Sequence, residues 1–558
     1  MKIRSFVAWT TRQGDLSVRV VPRGVEREQT LASEVVAILN DASEFDAQAP
    51  DTCLAAGVPL RLEPAGDRLV LHTSLVALPP VFIFESDAVV ALASDVASLR
   101  RVPGVRLRFD PVGVAQLGAV GHPIQHRSLF EGLRLAPAGA RLTLDAQGRV
   151  ATSAAWELPA ARAVSSDELL AAQESAFREA VERIDVSTSV LSLTAGLDTR
   201  AVFSSLAAAG RLVPGCTITG PRPSLDARVA ATLCRHYGVA HTAIEIGDAF
   251  ERDLPSLMDR ASLLSGGLES LGQAPEVYLY DVLAGRFGAR LSGNLGNQIG
   301  RGGTEGVSVR GADLEVLGPA LRTESTTSSS HWLIDQLDAG PREAITFILQ
   351  QEIPSTLVGN FSVGSHFAVQ QTPYASRALI DTLAQRAAAM HDVASRSALR
   401  LRLRDLRHRF FGEPASRSFQ RRLVAQIGGF AAEYPINWGW RPTGGVSLPG
   451  MAWGAATLVG MYARARGLDD GALRSVMRTT GLPALHDFRE SRRWLRVTLR
   501  EYLRDLVGSQ RIREAGLFDT ARLTAALDAY AAGAAGHYAT ITFALDVALA
   551  HRNFVETA

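Results

Sequence analysis

Lysine is almost missing from this chain. Of 58 basic residues in 558, Lys2 is the only lysine, and the rest are arginine. Chemistry that needs a lysine deep in the chain is therefore unavailable, although a high-GC genome would deplete lysine without any functional cause. Cysteine is scarce too. Cys53, Cys216 and Cys234 form neither a metal spacing nor a disulfide framework, which fits a reducing cytoplasm. No run of about 18 uncharged apolar residues occurs, so no spanning helix is expected. The start, Met1 to Phe6, lacks the apolar core of a signal peptide. Charge of one sign is also lacking. The net charge is +1, which argues against nonspecific binding to nucleic acid or an anionic membrane. With 47% hydrophobic residues, the composition is that of a globular protein with room for two or three domains.

What is present divides near Ala163 into two textures. Residues 1–163 carry short apolar runs broken by polar residues or proline, as at Leu69–His72, Val81–Phe84 and Ala88–Leu92. Arg141–Asp145 reads as a strand followed by a hairpin turn at Gln147-Gly148. From 164 to 558 helical patterns enter. Asp167 to Arg183 is amphipathic, with Leu169, Leu170, Phe177 and Val181 on its apolar side. Strands at Ser189–Leu193, Cys216–Thr219 and Thr242–Ile246 then alternate with helices at 201–206 and 225–237. That alternation predicts an α/β fold with a doubly wound parallel sheet and ligands at the carboxyl ends of its strands. Beyond about Asp335 the chain reads as mostly helical, with breaks near Gly412 and Pro442.

The most informative segment is Ser192-Leu193-Thr194-Ala195-Gly196-Leu197-Asp198-Thr199-Arg200. It joins a strand to a helix through small residues, and such a turn presents unpaired N–H groups and a favourable helix dipole to an anion. Ala195 and Gly196 allow close approach, Thr194 and Thr199 carry hydroxyls, and Asp198 could hold Mg2+ against phosphate oxygens. An ordinary strand-to-helix turn is the alternative at this point.

The segment resembles the pyrophosphate loop of the ATP pyrophosphatase superfamily, Ser-Gly-Gly-x-Asp-Ser, and is most similar to the asparagine synthetase branch. Thr194, Ala195 and Thr199 stand for the first Ser, the first Gly and the last Ser, while Gly196 and Asp198 match. Further similarity lies at Ala93-Ser94-Asp95, Phe109-Asp110-Pro111 and Leu133–Gly139, which resemble parts of the glutaminase-type sandwich joined to that nucleotide domain. The resemblance implies a β-rich, Ntn-like sandwich over 1–163 and an ATP-binding synthetase domain with a helical C-terminal part over 164–558. The family's glutaminase depends on a cysteine exposed at the N-terminus, and here position 2 is Lys2. Cys53 is internal, without a free amine as its base. The expectation is that glutamine is not hydrolysed and the sandwich is scaffold, as in the β-lactam-forming and lasso-peptide-cyclising branches.

Two more segments match. Thr217-Ile218-Thr219-Gly220, with Asp226 following, resembles the strand whose backbone meets adenine, which implicates Thr219. Leu291-Ser292-Gly293-Asn294-Leu295-Gly296-Asn297-Gln298 resembles Leu-Ser-Gly-Glu-Gly-x-Asp-Glu, which supplies a catalytic acid and a second Mg2+ ligand. Here Asn294 replaces the acid and cannot transfer a proton as a carboxylate does. Asn297 replaces the metal-binding Asp and offers an oxygen without charge. Arg301 and Glu305 follow closely and either compensate or belong to a surface loop. The family also places a lysine near the C-terminal helices; Arg441 occupies a roughly comparable place, with a permanent charge but no proton to give, and simple surface charge is the alternative.

The resemblance thus implies ATP and Mg2+ as cofactors and an ATP-dependent ligase that joins a small-molecule or peptide carboxylate to an amine or ammonia. Asn294 and Arg441 are its candidate catalytic residues. Ser192, Thr194, Ala195, Gly196, Asp198, Thr199, Thr219 and Gly293 would bind nucleotide, and Asp198 and Asn297 the metal. Nucleic acid and membrane are not expected partners, and a homo-oligomer stays open. A catalytically degenerate nucleotide-binding scaffold is the competing class, and a β-lactam or lasso-peptide type of cyclase is the narrower form of the ligase reading. Among lesser signals, Ser265-Gly266-Gly267-Leu268-Glu269-Ser270 mimics the loop but follows a helix, so it reads as a turn. Pro373-Tyr374 resembles a family pair before a helix and reads as packing. The run Arg400, Arg402, Arg404, Arg407 and Arg409 reads as a solvated helix.

Overall fold

The computed structural model describes residues 2–11, 16–22, 29–30, 37–39, 60–65, 67–162, 164–221, 223–301, 310–323, 341–390, 419–445, 450–452 and 490–555. Cys53, Glu305, the arginine run 400–409 and the break near Gly412 lie outside these residues.

The first half is an eleven-stranded sheet, antiparallel except where Lys2–Thr11 meets Ala37–Leu39. Its path runs Val150–Ala154, Ala140–Asp145, Arg68–His72, Leu60–Ala65, Ala37–Leu39, Lys2–Thr11, Val89–Ala93, Phe82–Glu85 and Leu133–Leu135. Side chains alternate along each strand, so one face of Lys2–Thr11 presents Phe6 and Ala8 and the other Val7 and Trp9. Phe6 and Ala8 share a core with Leu69, Leu71, Leu142 and Leu144 from strands several places away. The sheet is therefore doubled over into two facing layers, the sandwich anticipated from sequence. The hairpin turn at Gln147-Gly148 forms because Asp145 Oδ1 accepts from the N–H groups of Gln147 (3.0 Å) and Arg149 (2.9 Å).

Val7, Trp9, Phe82 and Phe84 face outward into a second core. There they join Phe250 and Met258 of the helix Asp248–Leu264 and Phe543 of the helix Tyr538–Phe554. That last helix is buried on nearly every side, and its buried residues include the polar Thr540, Thr542, Asp546 and His551 as well as its apolar ones. Ser265–Ser270 is a turn that anchors it: Ser270 N and Oγ both donate to Asp546 Oδ1, at 3.0 and 2.6 Å, and Arg310 Nη2 donates to Oδ2 at 2.9 Å.

The second half holds a five-stranded parallel sheet in the order His241–Glu245, Gly215–Thr219, Ser189–Ser192, Ala289–Leu291, Val369–Gln371. The helix Ser166–Arg183 leads into it, opened by a reciprocal cap between Ser165 and Glu168. The strand Val369–Gln371 was not legible as a strand in the sequence. It carries two glutamines and is only three residues long, held by pairing with Ala289–Leu291. The winding starts at Ser189–Ser192, proceeds outward through two strands, and returns to place Ala289–Leu291 on the opposite side. The reversal therefore falls between Ser189–Ser192 and Ala289–Leu291, and this is where doubly wound sheets open a crevice for ligands.

Candidate nucleotide site at the strand-order reversal

Both segments singled out from sequence leave the sheet at this reversal, from neighbouring strands in register: Ser189 beside Ala289, Leu191 beside Leu291. The first loop turns into the helix Leu197–Ala208 with Gly196 at its N-cap and no side chain capping it. Its first-turn N–H groups are thus left without a capping side chain, on an end that attracts anions. Upstream, the loop backbone is held by side chains. Thr194 N donates to Thr199 Oγ1 (3.2 Å), Gly196 N to Thr194 Oγ1 (3.2 Å), and the two hydroxyls lie 3.0 Å apart. Ala195 N donates to Asp226 Oδ1 at 2.9 Å. Asp226, matched in sequence only as part of a strand-helix segment, thus fixes the loop's shape from the first turn of the next helix.

The second loop is pressed against the first. A Cβ on Gly293 would lie 2.8 Å from Thr199 N, and one on Gly296 would lie 2.6 Å from Asp198 Cγ. Only glycine fits at either place. Leu295 stands where the family pattern has its second Gly, and it takes the left-handed conformation that a glycine favours, φ 69°. Asn294 is half-buried, with its N–H on Ser292 Oγ (3.3 Å) and its carbonyl accepting from Thr372 Oγ1 (2.8 Å). Asn297 follows Gly296 directly, on the π turn Gly296–Arg301.

Contacts from Arg200, Asn437, Tyr374 and Gln420 brace this arrangement. Arg200, wholly buried behind the loop, donates Nη2 to Pro435 O (3.0 Å) and Nη1 to Ala431 O (3.4 Å) and Tyr434 O. Burial pushes its pKa down to about 9, which leaves it charged at neutral pH. Asn437 N donates to Ala195 O at 3.2 Å. Tyr374 OH donates to Asp198 O at 3.1 Å, so the Pro373-Tyr374 pair packs and also touches the site. Gln420 Nε2 donates to Asp198 Oδ1 at 2.9 Å.

The remaining candidates have defined surroundings. Ser192 Oγ accepts from Arg290 Nε at 2.6 Å, and Arg290 is paired with Glu276. Burial works against the charge of Arg290, but Glu276 and Tyr280 outweigh it and hold the pKa well above the usual arginine value. Thr219 Oγ1 accepts from Ser224 N (2.9 Å) and its carbonyl from Ile246 N (2.7 Å), so both of its acceptors serve the fold. Arg441 is partly exposed, with Nη1 3.9 Å from Glu433 Oε2. It lies four residues after Asn437, on a turn where Gly439 N donates to Ile436 O (2.8 Å). Cys216 and Cys234 are buried free thiols, and burial raises both pKa values.

Among the described residues no three His, Cys, Asp or Glu side chains come together as a metal cage. Of the two carboxylates at the loop, Asp226 is engaged through Oδ1 by Ala195 N, and the donor set considered for a cation is Asp198 with the amide of Asn297, one residue beyond the glycine packed on it. Mg2+ commonly takes one or two carboxylates plus phosphate oxygens and waters. The set therefore fits an ion arriving with a nucleotide. None of the described helices is long and apolar enough to cross a membrane.

No protein-family model and no curated protein matches this chain. Among solved structures, it is similar to NMN synthetase from Francisella tularensis, at 14% identity and a TM-score of 0.18, over 42% of this chain and 98% of that one. It is also similar to glutamine phosphoribosylpyrophosphate amidotransferase from B. subtilis, complexed with ADP and GMP. There the identity is 10% and the TM-score 0.16, over 43% of this chain and 60% of that one. At such scores the fold rests on its own topology.

Proposed function

We propose that this protein is an ATP-dependent amide-forming ligase of the asparagine synthetase type, working without glutamine hydrolysis. The observation that carries the reading is the convergence of two motif loops, 192–200 and 291–298, at the strand-order reversal of a parallel sheet. In this reading residues 1–163 are a glutaminase-like scaffold and 164–558 the synthetase.

The nucleotide would lie across the reversal with its β- and γ-phosphates at the uncapped helix N-terminus beside Thr194 and Thr199. A substrate carboxylate oxygen would attack the α-phosphorus, and the bond to the β-phosphate oxygen would break with release of pyrophosphate. An amine would then attack the acyl carbon and displace AMP. The protein's contribution is preorganised charge and dipoles, not covalent chemistry. Mg2+, held by Asp198 with help from Asn297, would neutralise phosphate charge. Asn294 would donate hydrogen bonds to the acyl group but take no proton, and Arg441 would add positive charge at the crevice rim. The amine comes from free ammonia, a second substrate or the substrate itself; in the last case the enzyme is a cyclase.

The test is isotope exchange between pyrophosphate and ATP across a panel of amino acids, dicarboxylates and peptides. The ligase reading expects exchange with at least one carboxylate, AMP rather than ADP as the product, and loss of both in Asp198→Ala. ADP formation, or exchange that survives Asp198→Ala, overturns it. The scaffold reading is favoured by specific features, namely Asn294, Asn297 and the missing lysine. It predicts nucleotide binding without exchange on any carboxylate.

A further inference from the structure

Gln420 occupies a position where a helix would ordinarily place an apolar residue. On the helix Phe419–Ile427 its buried companions are Phe419, Leu423 and Val424, and Gln420 itself has no exposed surface. A buried amide is costly unless its donors are paired. Both amide hydrogens of Gln420 are paired: Nε2 donates to Asp198 Oδ1 at 2.9 Å and to the carbonyl of Gly296 at 2.9 Å. The backbone opposite is shaped around it. A Cβ on Gly300 would fall 2.2 Å from Gln420 Nε2, just as one on Gly296 would strike Asp198 Cγ at 2.6 Å. Two glycines four residues apart thus let both side chains lie against the same turn.

We infer that Gln420 is a positioning residue for the cation that accompanies the nucleotide. Its amide fixes the rotation of the Asp198 carboxylate and ties that carboxylate to the backbone presenting Asn297. This rests on the nucleotide reading above. Asp226 is engaged by Ala195 N and Asn297 brings no charge, so the direction of the Asp198 carboxylate carries more weight in drawing in an ion. Partners that orient a ligating group commonly change metal affinity by roughly 10- to 100-fold.

The experiment uses the full chain, Mn2+ as the probe ion followed by electron paramagnetic resonance at saturating ATP, and calorimetry of ATP without metal. Gln420→Met, close in volume and without a donor, is expected to weaken Mn2+ binding about tenfold and leave metal-free ATP affinity within about twofold. Gly300→Ala, which pushes the amide aside without altering Gln420, should give the same split if Gln420→Met fails to fold. Unchanged Mn2+ affinity in Gln420→Met, or a loss of metal-free ATP affinity as large as the loss of Mn2+ affinity, overturns the inference alone. Absence of ATP-dependent Mn2+ binding in the parent protein overturns the nucleotide reading and this inference with it.

Discussion

Replacing Arg200 with methionine removes a buried charge and leaves three backbone carbonyls without their donor. Arg200 has no exposed surface, and its guanidinium serves Ala431 O, Tyr434 O and Pro435 O, where the short helix Gly429–Glu433 ends. Each hydrogen bond from a charged donor contributes roughly 1.5–3 kcal/mol net, and a stranded buried acceptor costs about 1–3 kcal/mol. Against this, methionine no longer buries a charge, which recovers part of the loss. The balance is a destabilisation of roughly 2–4 kcal/mol. The thermal midpoint should fall with it. Urea unfolding followed by tryptophan fluorescence gives the free energy, and calorimetry gives the midpoint. The same change should loosen the 434–441 segment, whose Asn437 touches Ala195, and weaken nucleotide binding. An Arg200→Met protein within about 0.5 kcal/mol of the parent would refute the claim that this guanidinium braces the loop.

Three other outcomes follow from the geometry. Gly439 has φ 80° and a Cβ there would lie 1.6 Å from Gly450 O, so Gly439→Ala should destabilise the Arg441 turn by about 2–4 kcal/mol, read as faster local proteolysis and a lower urea midpoint. Burial pushes the His122 pKa down to about 4, against about 6.5 in an unfolded chain. The unfolded state therefore binds the extra proton first, and stability should fall by about 3 kcal/mol as pH drops from about 6.5 to about 4; His122→Gln should flatten that slope in urea titrations at stepped pH. Gly296→Ala, whose methyl would meet Asp198 Cγ at 2.6 Å, should abolish metal-dependent nucleotide binding at a modest cost in stability, checked by calorimetry beside a thermal scan.

Local signals in the sequence reported much of the second half because each depends on neighbours in the chain. The helix Ser166–Arg183 announces itself through a capping box and an apolar stripe, and the 192–200 loop through small residues between a strand and a helix. The loop's braces were illegible because they come from far along the chain. Gln420 is 222 residues from Asp198, and Arg200 reaches carbonyls 231 to 235 residues on. A faint trace of Gln420 existed in the sequence, a polar residue on the apolar stripe of Phe419, Leu423 and Val424. Carbonyl acceptors leave no trace at all, since every residue has one. The strand Val369–Gln371 was hidden for a related reason: its two glutamines are not among the β-branched and aromatic residues that mark strands, and pairing with Ala289–Leu291 holds them there.

The loops that leave the carboxyl ends of Ser189–Ser192 and Ala289–Leu291 are proposed to bind a nucleotide, with its metal held through Asp198. Calorimetric titration of the parent protein with ATP, with and without Mg2+, alongside Asp198→Ala, tests it without knowledge of the substrate. Binding should require Mg2+ for full affinity and should lose that requirement, together with most of the affinity, in Asp198→Ala. Failure of the parent protein to bind ATP in the presence of Mg2+, or binding that Asp198→Ala leaves unchanged, would contradict it.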